Sequence, residues 1–267
     1  MDCKLSITCG TRDGKSYLKD VFVSPPFRVL PVGQLKKDGG AYLMITSSSP
    51  GMLSGDHYYL NILIEENARL QLLSQSYQRL FNMDDHATQK LILHMQANTS
   101  FSYVPHPIVP HENSTFIGSN AIYLDRHCDF MMGEIITCGR KNLGEVFKYN
   151  HFQNKIEVFF NENLILKDNI LLQPQITPLD SVGGCLEEFT HQGTLIYLNT
   201  KNIPVTDSIE EVFEMLNTEA DIEFGISALQ KDGFVIRVLG FGGEQIFDCF
   251  RKIQDKLWCL NTGSKIP

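Results

Sequence analysis

The chain has 267 residues, 43% of them apolar and 20% charged, with a net charge of −8. This composition supports a sizeable core, and the acidic balance excludes a general nucleic-acid or anionic-membrane partner, because both need a basic face. No stretch approaches a transmembrane helix, and Met1-Asp2-Cys3-Lys4 opens straight into strand-like sequence with no signal peptide, so a cytoplasmic protein is expected.

In chain order, strands are predicted at 3–9, 15–23, 41–48, 57–64, 69–74, 89–95, 100–104, 114–124, 130–138, 146–160 (broken), 163–172 and 192–199. Turn signals such as Asp13-Gly14, Lys37-Asp38-Gly39-Gly40 and Asn161-Glu162-Asn163 separate them, and residues 80–88 look like a polar loop. Phe130-Met131-Met132 and Leu164-Ile165-Leu166 are apolar on both faces, which suits strands lying between two layers, as in a sandwich or a stacked β-solenoid. No short fixed-period repeat chooses between the two. From about residue 205 the pattern changes. Ser208-Ile209-Glu210-Glu211 has the form of a capping box, opening a helix with Ile209, Val212, Phe213 and Leu216 on one face. A hairpin, Ile222–Leu229 and Phe234–Leu239, follows. After Gly242-Gly243 a second helix places Ile246, Phe250, Ile253 and Leu257 at helical spacing. The expectation is one mostly-β domain over 1–267: a body at about 1–204 and a helix–hairpin–helix end at about 205–260 docked on it.

Seven scattered cysteines without a C-x-x-C suit small buried hydrophobes better than a disulfide framework or a zinc ribbon. Phosphate-loop, dinucleotide, serine-hydrolase and zincin motifs are absent, and nothing demands catalysis. Gly240-Phe241-Gly242-Gly243 is a glycine turn into a helix, able in principle to cradle an anion. Among the eight histidines, His106 and His111 share a proline-rich stretch, but a five-residue offset along extended chain puts them on opposite faces. Neither that stretch nor Asp84-Asp85-His86 nor His127-Cys128-Asp129 has the paired spacing of a closed metal site. No stable metal site and no tightly bound cofactor are expected. The alternative class is a solenoid or sandwich enzyme acting on carbohydrate, with Asp56 and Glu134 as acid and base, although a single Trp leaves little aromatic surface for sugar.

Several segments, in order, carry a resemblance. Ser49-Pro50-Gly51-Met52-Leu53-Ser54-Gly55-Asp56 is a glycine-built connection displaying one carboxylate. Pro25-Pro26-Phe27 precedes it, and Leu73 to Arg79, Tyr103 to Ser114, Gly133-Glu134 to Gly139-Arg140, Glu145-Val146-Phe147 and Arg237-Val238-Leu239 follow. Together they resemble the urease accessory proteins called UreD or UreH over residues 20 to 258. Departures are Arg79 at a lysine position, His111 at an aromatic one and Met52 where a second glycine is common. The resemblance implies an extended β-helix-like stack with two helices, and a non-enzymatic chaperone for nickel insertion into urease. It also implies partners: a UreF-like helical protein, a UreG-like GTPase and the urease apoprotein, with Ni2+ only in transit through an internal tunnel. Asp56, Glu134 and His106 are then candidates for a transient nickel path, because carboxylate oxygens permit rapid release. Ser49, Pro50, Gly51, Gly55, Asp56, Arg79, Glu134 and Arg140 are candidates for the tunnel or a partner surface. Equally open is a local reading: an Asp56 turn hydrogen bond and an ion pair of Glu134 with Arg140 or Arg79 that only hold loops.

Overall fold

The computed structural model describes residues 1–179 and 185–262. Strands β1 (Asp2–Arg12), β2 (Lys15–Val23), β3 (Phe27–Val32), β4 (Ala41–Ser47), β5 (His57–Ile64), β6 (Arg69–Ser74) and β7 (Gln78–Leu80) come first. They are followed by β8 (Ala87–Met95), β9 (Ser100–Tyr103), β10 (Ile108–Pro110), β11 (Thr115–Leu124), β12 (Asp129–Thr137), β13 (His151–Phe160), β14 (Asn163–Leu172) and β15 (His191–Asn199). Helix α1 (Thr206–Asn217), the hairpin β16 (Ile222–Ala228) and β17 (Gly233–Gly240), and helix α2 (Gly243–Thr262) complete the order.

Two sheets face each other. The first runs β14-β13-β11-β8-β5-β1-β2; the second runs β16-β17-β15-β12-β9-β6-β4-β3, with β7 and β10 attached. From β4 to β13 the chain passes back and forth between them, and each strand pairs in parallel with one a turn earlier: β4, β6, β9 and β12 in the second sheet, β5, β8, β11 and β13 in the first. Ala41 stands opposite Leu70, Arg69 opposite Ser100, and Ser100 opposite Asp129, so one turn takes about 30 residues. This is the mostly-β, β-helix-like stack expected.

One corner shows why the turns stack. Asn67, Asn98 and His127 have φ of 64°, 59° and 59°, a region that Asn tolerates better than most side chains. Their amides donate to Ala97, Arg126 and Thr200 carbonyls at 3.1, 3.1 and 3.3 Å, forming a ladder of turns. The residues that follow, Ala68, Thr99 and Cys128, are fully buried. The three segments Ile64 to Leu70, Met95 to Phe101 and Leu124 to Phe130 thus share one pattern: apolar, two free positions, Asn or His, a small residue, one free position, Leu or Phe. This is the long-period repeat that the sequence carries faintly.

Two cores result. One fills the space between the sheets; the other lies between the second sheet and the helices. β12 separates them and all nine of its residues are buried, with Phe130, Met132 and Ile136 on one side and Met131 and Ile135 on the other. Ile246, Phe250, Ile253 and Leu257 of α2 are 0 to 2% exposed, each contributing on the order of 1.5–3 kcal/mol through burial. Trp258 Nε1 donates to Asp38 Oδ2 at 2.8 Å, and Gln254 Nε2 to Ser102 Oγ at 2.7 Å, pinning the helix to the body.

Several expectations need correction. β3, β7 and β10 lie outside the predicted strands, because they are short or contain proline. The strand expected at 146–160 begins only at His151, since Phe147 takes φ 53°. β8 begins at Ala87, inside the predicted 80–88 loop. The capping box does not form: α1 starts at Thr206, Val205 is the N-cap without a side-chain bond, and Ser208 lies inside the first turn. Phe213 is exposed, and so is Leu164 on the uncovered face of edge strand β14. Five of the seven cysteines are buried, as expected, but Cys185 is exposed.

His127→Val is expected to lower stability by about 1–2 kcal/mol, because a β-branched residue resists left-handed backbone, whereas His127→Asn is expected to leave it unchanged or raise it. Chemical denaturation of the two variants checks this.

Candidate functional site

The second sheet is interrupted along a line across its strands. β4 stops at Ser47; β6 stops at Ser74 and the chain resumes pairing as β7 at Gln78; β9 stops at Tyr103 and resumes as β10 at Ile108. Pro105 and Pro107 in the last gap have no N–H to give a ladder. Past the gap the order is restored: Met52 stands opposite Leu80, and Gln78, Arg79 and Leu80 opposite Ile108, Val109 and Pro110. A cavity of about 670 Å³ opens at the interruption, rimmed by Ser49, Pro50, Gly51 and Arg79 and reaching Tyr58, Leu60 and Gln89 of the first sheet.

The glycine in this rim is required sterically. A Cβ on Gly51 would stand 2.3 Å from the Arg79 carbonyl oxygen, which accepts from Met52 N–H at 2.8 Å. Ser49 Oγ donates to the Gly51 carbonyl at 2.6 Å and shapes the approach. Gly55 is needed for its φ of 77° alone, with open space around it. Asp56 closes the connection: its Oδ2 accepts from Leu53 N–H at 2.9 Å, and its Oδ1 lies 3.6 Å from the N-terminal ammonium. The turn hydrogen bond of the local reading is therefore present, and Asp56 lines neither cavity described here.

Glu134 is elsewhere. It projects from β12 into the space between the sheets, is 5% exposed, and accepts a hydrogen bond from Asn154 Nδ2 of β13. The expected ion pair with Arg140 or Arg79 is not formed. Arg140 pairs with Glu145, its Nε 2.7 Å from Oε2, because the short helical turn at Lys141–Leu143 folds those two residues together. Burial pushes the Glu134 carboxyl up to about 7, with Asp168 adding to the effect and the Asn154 bond and Arg237 opposing it.

Glu134 belongs to a polar row crossing an otherwise apolar interior. At one level of the first sheet Tyr58, Gln89, Gly118 and Asn154 stand side by side; at the next, Asn120, Ile156 and Asp168. Gln78 Nε2 donates to Gln89 Oε1 at 3.3 Å at the cavity end. Asn120 Nδ2 donates to Asn154 Oδ1 at 2.9 Å, Asn154 donates to Glu134, and Glu134 is paired in register with Thr194. Thr194 Oγ1 accepts from Arg237 Nη1 at 2.7 Å, and Arg237 also donates to Asp168. Gly118 makes room: a Cβ there would collide with Asn154 Oδ1. Sequence reading missed Gln89, Asn120, Asn154, Asp168 and Arg237 as site residues. The signal available was a polar residue at an inward position of an alternating strand, as in Phe116-x-Gly118-x-Asn120-x-Ile122.

Arg79 also lines a second cavity of about 600 Å³, together with Arg140, Lys141, His111 and His191. His106 is not free. Its Nδ1 is 2.8 Å from Ser74 Oγ and its ring stacks on Phe247 of α2 at 4.3 Å, so it latches the helix over the interruption. Among the described residues no three His, Cys, Asp or Glu side chains cluster as a metal site.

The family model described as UreD urease accessory protein matches residues 2–263. Proteins named urease accessory protein UreD are similar to the chain over almost its whole length. That of Flavobacterium johnsoniae is 50% identical, covering 98% of this chain and 96% of the relative. The protein of Actinobacillus pleuropneumoniae is 32% identical over 91% and 92%, and that of Acetivibrio thermocellus 28% identical over 96% and 97%.

Glu134 has a folded-state value of about 7 against an ordinary value of 4.5, so the folded chain holds an extra proton between them. The contribution of Glu134 to stability must then fall as pH rises from about 4.5 to about 7, by on the order of 3 kcal/mol. Glu134→Gln is expected to remove this slope in urea unfolding at pH 5 and pH 8; an unchanged slope would mean that the carboxyl is solvated. Gly51→Ala is expected to cost about 1–3 kcal/mol through backbone overlap, and Gly55→Ala only about 1 kcal/mol, as read from denaturation midpoints.

Proposed function

Because the chain belongs to the UreD urease accessory protein family, we propose that it is a non-catalytic chaperone for nickel insertion into urease. In this reading it acts in the cytoplasm on the urease apoprotein, with a UreF-like helical protein and a UreG-like GTPase. Ni2+ is cargo and is not retained.

The observation that carries the ion-transfer part is the polar row of Asn120, Asn154, Glu134, Thr194, Arg237 and Asp168, which lies level with Gln89 of the first cavity across Gly118. Its donors are amide and carboxylate oxygens without thiolate or imidazole, a set that binds nickel weakly and exchanges it quickly. A Glu134 carboxyl titrating at about 7 changes charge at neutral pH, so a cation can displace its proton and a proton can displace the cation. Asp56 and His106 stand outside the row. Their part is to shape the Ser49–Gly55 connection and to hold α2, leaving Ser49, Pro50, Gly51, Gly55, Arg79 and Arg140 as partner-surface or entrance residues. Asp56 and Glu134, at a turn and inside the stack, do not form the facing carboxylate pair that glycoside hydrolysis needs. Among the described residues no helix is long and apolar enough to cross a membrane.

The test is the nickel content of urease purified from the native host. Urease is expected to be nickel-poor without this chain and restored by the wild type; full loading in its absence overturns the proposal. With Glu134→Gln, loading is expected to drop several-fold while co-purification with urease persists. Normal loading by that variant would leave a scaffold without an ion route.

A further inference from the structure

The second cavity has chemistry of its own. Arg79, Arg140 and Lys141 surround it. Of these, Arg140 is neutralised by Glu145, while Arg79 and Lys141 make no ion pair among the described residues. In a chain of net charge −8, two uncompensated cations on one concavity are a local exception, and they make its interior electropositive. Gly139 sets them in place. Its φ of 117° and its approach to the Glu145 and Pro110 carbonyls, where a Cβ would stand 2.8 and 2.9 Å from the oxygens, turn the chain toward Arg140 and Lys141.

His111 supplies an independent observation. It is 5% exposed, lines this cavity, and its Nε2 has no hydrogen-bond partner. A buried ring nitrogen left unpaired is costly, and a ligand oxygen would relieve it. Burial lowers the His111 titration first, with Arg140 and Arg79 adding to it and Glu145 opposing, and burial followed by Lys141 lowers that of His191 to about 4. Arg79 and Lys141 thus each act on one of the two rings. Apolar walls complete the site: Phe81, edge-on to His111 at 4.9 Å, and Phe241, which lies 5.9 Å from Lys141 Nζ. Phe241 also leads into α2, whose positive end is thus near. A volume of about 600 Å³ is within the range of ordinary ligand pockets, roughly 300–1,000 Å³, and more than a lone oxyanion fills.

We propose that this cavity binds a carboxylate carried on an apolar or aromatic group, with Arg79 and Lys141 holding the charge, His111 Nε2 donating to an oxygen, and Phe81 and Phe241 packing on the apolar part. The proposal is independent of nickel transfer, so its failure would leave the reading above untouched. The full chain, with imidazole resonances followed by NMR, is titrated with N-acetylphenylalanine, its uncharged amide, and acetate. Saturable shifts of His111 and His191 are expected with N-acetylphenylalanine, at least ten-fold weaker binding with acetate, and none with the amide. Arg79→Gln combined with Lys141→Gln is expected to weaken binding at least ten-fold, with the denaturation midpoint kept; both side chains are exposed, and Lys141→Glu alone provides a second variant. The blocked tetrapeptide Gly-Glu-Phe-Gly separates the sources: tighter binding than N-acetylphenylalanine assigns the carboxylate to a protein segment, weaker binding to a small acid. No saturable shift, equal binding by the double variant, or at least ten-fold tighter binding of phenyl phosphate overturns the assignment.

Discussion

The hydrogen bond from Met52 N–H to the Arg79 carbonyl, at 2.8 Å and made across Gly51, is the constraint on which the functional end of the molecule depends. It exists only because position 51 has no Cβ, since any side chain would overlap the acceptor. Through it the connection between β4 and β5 is laid against β7, and the second sheet continues past its interruption. Ser49 and Pro50 are thereby held at the rim of one cavity, while Arg79 is placed at the boundary of both. A turn motif that looks local is thus a tertiary contact, and its glycine answers to a strand from the next turn of the stack.

A stack of sheets is stabilised mainly by apolar burial, and both cores here follow that rule. The row through Asn120, Asn154, Glu134 and Thr194 breaks it. Amide, carboxyl and hydroxyl groups between the sheets give less stability than the leucines they replace, and they are tolerated because they satisfy one another's hydrogen bonds. Glu134 is the extreme case, since burial moves its titration to about 7. Such departures from core chemistry concentrate where a protein acts, which is why the row weighs more here than any exposed cluster.

Helix α2 covers the interruption and couples distant parts of the chain. His106, on the proline-rich gap between β9 and β10, stacks on Phe247; Tyr77, in the gap between β6 and β7, donates to Glu244 at 2.9 Å; Trp258 reaches Asp38 at the other end. The residues flanking the gap are therefore held by side chains from the last quarter of the sequence. Both cavities share Tyr77, Arg79 and Val109 in their walls, so a ligand or partner at one stands against residues that shape the other.

Much of the fold was legible in the sequence, for reasons that are local. Alternation along β5, β8 and β13 and the 3.6-residue spacing of Ile246, Phe250, Ile253 and Leu257 are properties of neighbouring residues, and the structure keeps them. The order of glycine and proline segments identified the family for the same reason: each is a short backbone requirement written in residue type. Local reading failed where a sequence pattern admits more than one outcome. Ser208 and Glu211 have the form of a capping box, yet the helix begins earlier. Glu134 and Arg140 are close in sequence, yet Arg140 is claimed by Glu145 and Glu134 by Asn154. By itself the sequence determined the strand-rich body, the two amphipathic helices and the family. Only the tertiary structure decided which polar residues meet in one row, Glu134 and Asn154 being 20 apart in the chain and Asn120 and Asn154 34 apart. That register is set by stacked corners and the lengths between them, and no local pattern encodes the sum.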